Sequence, residues 1–152
     1  MGTLKVRKAT VADAPAIAHI AEEIVRELGP EASALEAPVT PEAIARRIRS
    51  YQGKGAMFVA MLGRRRIGFA ALEPASGEKE TLVLGVWVLA PYRRQGIGTQ
   101  LALAAIEKAR SLGAHRLRGT IPQGNEPALS FFGELGALAQ AVAGGMAYEL
   151  PI

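Results

Sequence analysis

The sequence predicts an α/β fold in which a mixed, mostly antiparallel sheet of about seven strands is flanked by about four helices. Short segments with alternating or continuous apolar residues indicate the strands, and longer segments with apolar residues at helical spacing indicate the helices. One helix lies between two strands in an order that requires a parallel crossover. The length of 152 residues is typical of one domain, so a single domain over residues 1–152 is expected.

A short strand and an amphipathic helix open the chain. Residues 4–8 alternate apolar and basic side chains, as a half-buried strand does. Thr10 or Asp13 is expected to cap the helix that follows, and Gly29 ends it. The helix carries its apolar side chains on one face: Ile17, Ile20, Ile24 and Leu28.

A loop, a second helix and a hairpin come next. Residues 30–39 are expected to form the loop, and Thr40 followed by Pro41 is a typical start of a helix. Two apolar runs, 56–62 and 67–72, predict antiparallel strands. The residues between these runs predict a hairpin loop slightly longer than the tightest kind: Gly63, Arg64, Arg65 and Arg66.

The second half of the chain begins with the strand expected at the centre of the sheet. Residues 81–88 are almost all apolar, which is typical of a strand buried on both faces. Gly85 interrupts this run and indicates a bulge or the close approach of a backbone or a ligand. A glycine-rich turn, a helix that ends at Gly113 and a strand at 115–120 complete the crossover unit.

The last elements are a helix and a closing hairpin. Asn125 is expected to cap the helix. Residues 137–141 and 146–150 predict two strands joined around Gly144 and Gly145. The helix carries three large apolar residues: Leu129, Phe132 and Leu135.

The composition limits the classes of function. The chain has no cysteine, which excludes disulfides and a cysteine nucleophile, and its two distant histidines predict no metal site. The net charge of +4 favours an anionic partner, but the basic residues are scattered without interleaved aromatic side chains, which argues against nucleic acid. No apolar run approaches the ~20 residues that cross a membrane, and no export signal opens the chain, so no membrane association and a cytoplasmic location are expected.

The turn between the apolar strand and the third helix is the strongest functional signal. A helix N-terminus presents unpaired N–H groups and a partial positive charge. Glycines at positions 96 and 98 let a pyrophosphate approach those N–H groups, and neighbouring arginines add charge. A tight turn with solvated arginines is the alternative. The candidate anion site comprises Arg93, Arg94, Gln95, Gly96, Ile97, Gly98 and Thr99.

This segment resembles the signature of the GCN5-related N-acetyltransferase (GNAT) family, which is Arg/Gln-x-x-Gly-x-Gly/Ala after a strand ending in Val-x-x-Pro. Val88 and Pro91 match the strand end, and Arg93, Gly96 and Gly98 match the turn. The order of elements agrees from residue 4 to residue 150, so the resemblance covers nearly the whole chain. A second family segment also matches, through Asn125, Ala128, Phe131, Phe132 and Gly136.

The resemblance implies an N-acyltransferase that moves an acyl group from acetyl-CoA directly to a primary amine. It also implies a sheet splayed between its fourth and fifth strands, with the pantetheine arm of the cofactor in the gap. Backbone groups of Val86, Trp87 and Val88 would pair with that arm as an added strand. Asn125 would face the arm beside Phe132. A plain helix cap is the alternative, and one side chain can serve both uses.

The catalytic residues stay open in the sequence. Phe132 stands where relatives often have a tyrosine that protonates or hydrogen-bonds the leaving sulfur. Either the thiolate leaves without a side-chain acid, or another hydroxyl substitutes, or the protein is a catalytically weak CoA-binding sensor or interaction module. The hydroxyl candidates are Tyr148, Tyr51 and Ser130, and Glu80 is the carboxylate nearest the central strand that could act as a base.

No motif identifies the acceptor. The resemblance implies an amine of a small molecule, a protein or a peptide, in a site walled by the loop at 30–41 and by the final hairpin. Many relatives pair through their last strands, so a homodimer is a further expectation.

Overall fold

A computed structural model describes residues 2–35 and 39–152 of the chain. Part of the expected loop, residues 36–38, lies outside the described residues. The strands are β1 (Leu4–Lys8), β2 (Ala56–Leu62), β3 (Arg65–Pro74), β4 (Thr81–Val88), β5 (Arg116–Pro122), β6 (Leu138–Val142) and β7 (Gly145–Pro151). The helices are α1 (Ala14–Leu28), α2 (Pro41–Ser50), α3 (Ile97–Ser111) and α4 (Glu126–Glu134), with short 3-10 turns at Val11–Asp13 and Ala90–Tyr92.

The described strands form one seven-stranded sheet in the order β1-β2-β3-β4-β5-β7-β6. β4 and β5 are parallel, and every other neighbouring pair of these strands is antiparallel. The helix α3 connects β4 to β5, because parallel neighbours need a long crossover. The mixed, mostly antiparallel sheet predicted from the sequence is confirmed, with β4 at its centre.

The sheet is open between β4 and β5. The two strands pair over only three residues, from Thr81 with Arg116 to Val83 with Arg118. Beyond this point β4 pairs with β3 alone, and β5 pairs with β7 alone. The gap, called the split below, therefore starts at Leu84 and runs to the C-terminal end of β4. The splay implied by the family resemblance is confirmed.

Helices cover both faces of the sheet. On one face, α1 and α2 pack over a core that includes Ile17, Ile20, Ile24, Ile44, Met57, Val59 and Phe69. On the other face, α3 and α4 pack over Leu72, Leu84, Leu101, Leu117, Ile121 and Phe132. Successive side chains of a strand point to opposite faces, so Leu84 joins the α3 side and Trp87 the α1 side.

Local signals fix the helix ends. The side chain of Thr40 accepts a hydrogen bond from the N–H of Ala43 at 3.2 Å, and that of Asn125 accepts one from Ala128 at 3.2 Å. These bonds satisfy N–H groups that a helix start leaves unpaired. Gly29 follows α1 with φ of 90°, a left-handed conformation that glycine adopts without strain. The caps predicted at Thr40 and Asn125 are confirmed.

The connection between β2 and β3 is tighter than predicted. Leu62 pairs directly with Arg65, which leaves only Gly63 and Arg64 in the turn. The three arginines after Gly63 had suggested a longer loop, but Arg65 and Arg66 already belong to β3. A register shift opposite Ala60 and Met61 leaves Ile67 of β3 without a partner in β2. The prediction of a longer hairpin loop is therefore wrong.

Gly85, in the central strand, leaves space for a neighbouring side chain. The register of β3 with β4 runs through Gly85 without a shift, so the bulge predicted there is absent. A Cβ atom at Gly85 would collide with the indole ring of Trp87, two residues further along the same face. Gly85 therefore makes room for this indole.

Candidate active site

A row of unpaired backbone N–H groups lies at the start of α3. The helix follows the C-terminal end of β4 after one short turn, and the N–H of Gln100 donates to the carbonyl of Gly96 at 3.1 Å. Within the described part of the chain, the N–H groups from Arg94 to Thr99 have no hydrogen-bond partner. Such groups, together with the positive end of the helix dipole, attract an anion.

The two positions in this turn favour glycine for different structural reasons. Gly96 has φ of 79°, a left-handed conformation, and no atom lies within 4 Å of the position of an added Cβ. At Gly98, an added Cβ would lie 3.0 Å from the ring of Phe131 in α4. A side chain at Gly98 would therefore press on Phe131 as well as on a bound anion. The role of Gly98 in the approach of a pyrophosphate stays a prediction.

The two arginines of the turn have different partners. The guanidinium of Arg93 donates two hydrogen bonds to the carboxylate of Glu27 in α1, at 2.6 and 2.8 Å. Its Nε donates to the carbonyl of Val88 at 2.9 Å. Arg94 is exposed, and its side chain has no hydrogen bond or ion pair among residues 2–35 and 39–152. Arg94 is therefore the uncompensated cation nearest to the unpaired N–H groups along the chain.

The other residues of the turn act mainly through the backbone. Gln95 donates from its side-chain amide to the carbonyl of Pro91 at 3.3 Å and so stabilises the turn. Ile97 is buried in the core and anchors the first turn of α3. Thr99 is exposed beside its unpaired N–H.

One edge of the split is formed by β4. Val86 and Val88 pair with β3 on one side and have no strand partner on the side of the split. The indole of Trp87 stacks on Phe69 with ring centroids 4.9 Å apart and packs against the core on the α1 side. Its Nε1 donates to the carbonyl of Ser33 at 2.8 Å. The side chain of Trp87 is thus part of the core.

A tyrosine from β7 fills the beginning of the split. The hydroxyl of Tyr148 donates to the carbonyl of Leu84, the first β4 residue beyond the pairing with β5. Its ring crosses Gly119, which has no side chain to obstruct it, and stacks on Phe132 at a centroid distance of 4.1 Å. Tyr148 is only 3% exposed, and burial raises the pKa of its hydroxyl well above the usual range. Tyr148 therefore keeps its proton near neutral pH.

A loop segment crosses the split on the α1 side. We call residues 30–35 the strap. Trp87, in β4, donates to the carbonyl of Ser33 at 2.8 Å, and Asn125, just after β5, donates from Nδ2 to the carbonyl of Ala32 at 2.8 Å. The buried hydroxyl of Ser33 donates to the carbonyl of Pro30 at 3.1 Å. The strap is therefore attached to both sides of the gap.

Asn125 is occupied within the chain. Its Oδ1 accepts the capping hydrogen bond of α4, its Nδ2 binds the strap, and the residue is 9% exposed. The helix-cap alternative is thus confirmed. The role of Asn125 toward a bound cofactor stays a prediction.

Two of the predicted catalytic candidates lie in unfavourable places. Glu80 precedes the part of β4 that is paired with β5, roughly 13 Å along the strand from Leu84 at the usual rise per residue. It is exposed, and its carboxylate lies 3.7 Å from the ring of His115. Ser130 is exposed on α4. Neither position favours a role at the start of the split.

Tyr51 lies on the other side of the sheet from Tyr148. Its hydroxyl donates to the carboxylate of Glu73 at 3.2 Å, and its ring belongs to the core under α1 and α2. The structure therefore brings together Phe132 and Tyr148 and leaves Tyr51 in a separate cluster.

Two kinds of feature are absent from residues 2–35 and 39–152. They contain no group of three or more histidine, cysteine, aspartate or glutamate side chains arranged to hold a metal ion. None of their helices is long and apolar enough to cross a membrane.

The family of the chain follows from a comparison with family models. Residues 20–137 match the model of the acetyltransferase (GNAT) family, and this range contains both of the motifs discussed above. The chain belongs to the GNAT family. This confirms the resemblance and the prediction of an enzyme class, because members of this family are acetyltransferases that use acetyl-CoA.

Solved structures share the GNAT fold of the whole chain. The PaiA N-acetyltransferase from Thermoplasma acidophilum, in complex with coenzyme A, has a TM-score of 0.84 at 17% identity over 99% of both chains. An N-acetyltransferase from Staphylococcus aureus Mu50 has a TM-score of 0.82 at 21% identity over 98% of both chains. YncA from Salmonella typhimurium, with its cofactor acetyl-CoA, has a TM-score of 0.78 at 19% identity over 98% of this chain and 92% of its own. The comparison with curated proteins gives no significant match.

Several site contacts could not be read from the sequence. Glu27 is separated from Arg93 by 66 residues, and no local pattern links them. The carbonyl of Leu84 has no side-chain signal at all. Only the spacing of Gly85 and Trp87 carried usable information, because residues two apart in a strand share a face.

Proposed function

We propose that this GNAT protein transfers an acetyl group from acetyl-CoA directly to a primary amine of a small molecule, a protein or a peptide. One observation carries the proposal: the unpaired N–H groups of α3 and the open end of the split lie at the same end of β4. An anion site next to an unpaired strand edge suits a ligand with a diphosphate and an extended, amide-containing arm. We further propose that residues 1–152 form one acetyltransferase domain.

The diphosphate of coenzyme A is proposed to lie on the N–H groups from Arg94 to Thr99. Arg94 adds an uncompensated charge, and Arg93 steadies the turn through its bonds to Glu27 and Val88. PaiA and YncA were solved with coenzyme A and acetyl-CoA respectively, which supports this class of ligand.

The pantetheine arm is proposed to run along the edge of β4. Backbone groups of Val86, Trp87 and Val88 would pair with its amides, because this edge lacks a strand partner. Asn125 and Phe132, on the α4 side, would line the opposite side of the arm. The thioester would then end near Leu84, where β4 meets β5.

The bound thioester supplies an activated acetyl group. An ordinary alkyl amine has a pKa near ~10.4, so it must lose a proton before its nitrogen attacks the thioester carbonyl. The new C–N bond forms, the C–S bond breaks, and the sulfur takes up a proton. The absence of cysteine from the sequence leaves direct transfer as the simplest route.

Tyr148 is proposed to hydrogen-bond the leaving sulfur in place of the tyrosine that relatives often carry at the position of Phe132. Its ring stacks on Phe132, and its hydroxyl lies at the start of the split. The raised pKa of Tyr148 keeps the proton on the hydroxyl. Rotation about the C–O bond would redirect the O–H from the carbonyl of Leu84 to the sulfur.

A catalytically weak CoA-binding sensor or interaction module is the second candidate. The phenylalanine at position 132 favours it, because this ring has no proton to offer. Titration calorimetry with acetyl-CoA, followed by thiol-release assays with a panel of amines, separates the two functions. Binding with release supports the enzyme, and binding without release for every acceptor supports the module. No binding at millimolar acetyl-CoA contradicts both.

The proposed assembly is a homodimer that pairs along β6. This strand is an edge of the sheet, and its Leu138 and Val142 are 71% and 46% exposed. Light scattering should give the mass of two chains, and a monomer for Val142→Lys. A monomeric mass for the unmodified chain would contradict the dimer. The cytoplasmic location and the lack of a nucleic-acid partner stay predictions.

A further inference from the structure

A cavity of about 370 Å³ lies between the C-terminal end of α2 and the strands β3 and β4. It is separate from the start of α3, because it opens on the α1 and α2 side of the sheet. Glu73 marks that side, since it follows the core residues Phe69 and Ala71 at alternate positions of β3. The cavity is lined by Ser50, Tyr51, Lys54, Glu73, Pro74 and Val83.

One wall of the cavity is formed by Glu73, whose carboxylate is paired with Arg47. Arg47 donates from Nε to Oε2 of Glu73 at 2.9 Å and makes a second hydrogen bond through Nη2 to Oε1. The hydroxyl of Tyr51 also donates to Oε2 of Glu73, at 3.2 Å. Burial and the nearby charge of Glu73 raise the pKa of Tyr51, so its hydroxyl stays protonated near neutral pH. The wall therefore carries almost no net charge.

Lys54 gives the cavity an excess positive charge. Its side chain is exposed and has no hydrogen bond or ion pair in the described part of the chain. The turn before it holds it at the rim, because Gln52 and Gly53 have φ of 48° and 83° and the N–H of Lys54 donates to the carbonyl of Tyr51 at 2.8 Å. An unpaired ammonium beside a neutral wall favours an anionic group on the ligand.

The cavity lies beside the closed end of the split. Val83, which lines the cavity, is the last β4 residue paired with β5, and the split begins at Leu84. In the proposed complex the cofactor arm enters from α3, at the other end of the split. A molecule in the cavity would thus approach the thioester from the end opposite the cofactor.

We propose that this cavity binds the acceptor, and that the acceptor is a small amine that also carries a carboxylate, as an amino acid does. The carboxylate contacts the ammonium of Lys54, and the amine points past Val83 toward Leu84. This inference rests on the proposed transfer from acetyl-CoA. The amine nitrogen bonds to the acetyl carbon, the C–S bond breaks, one amine proton leaves to solvent and the sulfur gains a proton.

Matched acceptors test the substrate class. We would measure kcat/KM by thiol release for common amino acids and for the amines that lack only the carboxylate. The amino acids should be preferred by about tenfold or more, because a charge-assisted contact is lost without the carboxylate. Equal use of both members of every pair would overturn the inference.

A lysine variant tests the contact itself. Lys54→Met should reduce the preference for the carboxylate to about one. Lys5→Met, which removes an exposed lysine from β1, is the matched control and should keep the preference. A preference that survives in Lys54→Met would overturn the assignment of Lys54.

A binding experiment tests the cavity assignment without measuring turnover. The chain has three tyrosines, and Tyr51→Phe and Tyr92→Phe assign their ring signals in an NMR spectrum. Amino acids added to the protein with coenzyme A should shift the signals of Tyr51 and leave those of Tyr92 in place. No shift at Tyr51 with any common amino acid overturns the cavity assignment, even where acetyl-CoA binds. Failure of acetyl-CoA to bind, with intact shifts at Tyr51, contradicts the proposed function instead.

Discussion

At the scale of single residues, two stacked rings decide which hydroxyl can assist the leaving sulfur. Phe132 offers none, and Tyr148 beside it donates to the carbonyl of Leu84. The same hydroxyl therefore links β7 to β4 at the start of the split, and it also has a proposed chemical use. A variant of Tyr148 that removes only the hydroxyl oxygen distinguishes the contribution of the hydroxyl from that of the ring.

The first prediction concerns the position of this hydroxyl. Tyr148→Phe should lower kcat by about 10²-fold, the lower range for the loss of a general acid, with little change in the Kd of acetyl-CoA. Adding Phe132→Tyr should restore part of the loss, because it moves a hydroxyl to the stacked ring. Thiol release and calorimetry give kcat and Kd. An unchanged kcat in Tyr148→Phe would mean that the thiolate leaves without a side-chain acid.

The second prediction concerns the anion site. Arg94→Glu should weaken acetyl-CoA binding by about tenfold or more at low salt, and less at high salt, because it reverses an exposed charge beside the unpaired N–H groups. Arg46→Glu, an exposed change of the same charge on α2, is the control. Calorimetry at two salt concentrations measures both. Equal affinities for the two variants would argue against the site.

The third prediction concerns a buried carboxylate. Asp13 is 0% exposed, accepts two hydrogen bonds from Arg7 at 2.8 Å and one from Arg66 at 2.7 Å, and thereby joins the start of α1 to β1 and β3. Asp13→Asn should lower the free energy of unfolding by about 2–4 kcal/mol near neutral pH, because two guanidinium groups lose their shared partner. Glu22→Gln, at an exposed site on α1, should change it by less than about 1 kcal/mol.

The loss of unfolding free energy in Asp13→Asn should depend on pH in a definite direction. The hydrogen bond from Arg7 is the main cause that lowers the pKa of Asp13 far below its usual range. The stabilisation by Asp13 is therefore complete above the unfolded pKa of about 3.9 and is lost as the pH falls toward the folded pKa. Urea unfolding should show the gap between wild type and Asp13→Asn shrinking by about 1.4 kcal/mol per pH unit below about 3.9. A gap that stays constant down to pH 2 would contradict this account.

Sequence reasoning at this scale identified residues better than it identified their partners. Gly96, Asn125 and Thr40 follow local rules of turn and cap, and their conformations agree with those rules. Arg93 followed no local rule, because its carboxylate partner comes from a distant helix. Side-chain pairs of this kind depend on the packing of elements, which single positions do not encode.

At the scale of elements, the strap links the two sides of the split. It is bound to β4 through Trp87 and to the start of α4 through Asn125. Both residues also lie where the cofactor arm is proposed to run. The strap should therefore be more rigid than an ordinary exposed loop, as long as both hydrogen bonds are present.

The fourth prediction tests these two bonds. Asn125→Asp keeps the cap of α4, since aspartate is an equally good N-cap, but loses the donor to the carbonyl of Ala32. Trp87→Phe keeps an aromatic ring against Phe69 and loses the donor to Ser33. Each variant should speed hydrogen exchange of the amides in residues 30–35 and leave exchange in α4 unchanged.

Asn125→Ala is the control for the strap, because it removes the cap and the donor together. It should speed exchange in α4 as well as in the strap. Unchanged exchange in residues 30–35 of Asn125→Asp would show that the bond to Ala32 does not hold the strap.

The elements themselves were largely predictable. The helix periodicity and the caps identified all four described helices, and apolar runs identified the strands. The β2–β3 turn was mispredicted, because the basic residues after Gly63 carry no apolar pattern although Arg65 pairs in the ladder. Exposed strand ends with polar side chains are hard to distinguish from loops by periodicity.

At the scale of the whole molecule, the proposed binding sites lie at the two ends of the split. It separates a half of the sheet built from β1 to β4 from a half built from β5, β7 and β6. The anion site lies at the open end of the split, and the cavity at Val83 lies at the closed end. In the proposed reaction, the two substrates would meet from opposite ends of the split.

The split was predictable only through the family resemblance. Strand pairing depends on contacts between distant segments, and the sequence of β4 alone gives no sign of where its partner leaves it. The structure supplies a physical reason, since Tyr148 occupies the carbonyl of Leu84 at the point where β5 diverges. The cavity proposed for the acceptor lies outside the loop at 30–41 and the final hairpin, where the family resemblance implied the acceptor site. Its residues come from α2, the turn after it, β3 and β4, and no sequence motif links them.

A crystal structure of the protein with coenzyme A tests the central claim most directly. The account predicts the diphosphate within hydrogen-bond distance of the N–H groups between Arg94 and Thr99, and the arm along the edge of β4 in the split. Coenzyme A bound at another place on the molecule, or a diphosphate that leaves these N–H groups untouched, would contradict it.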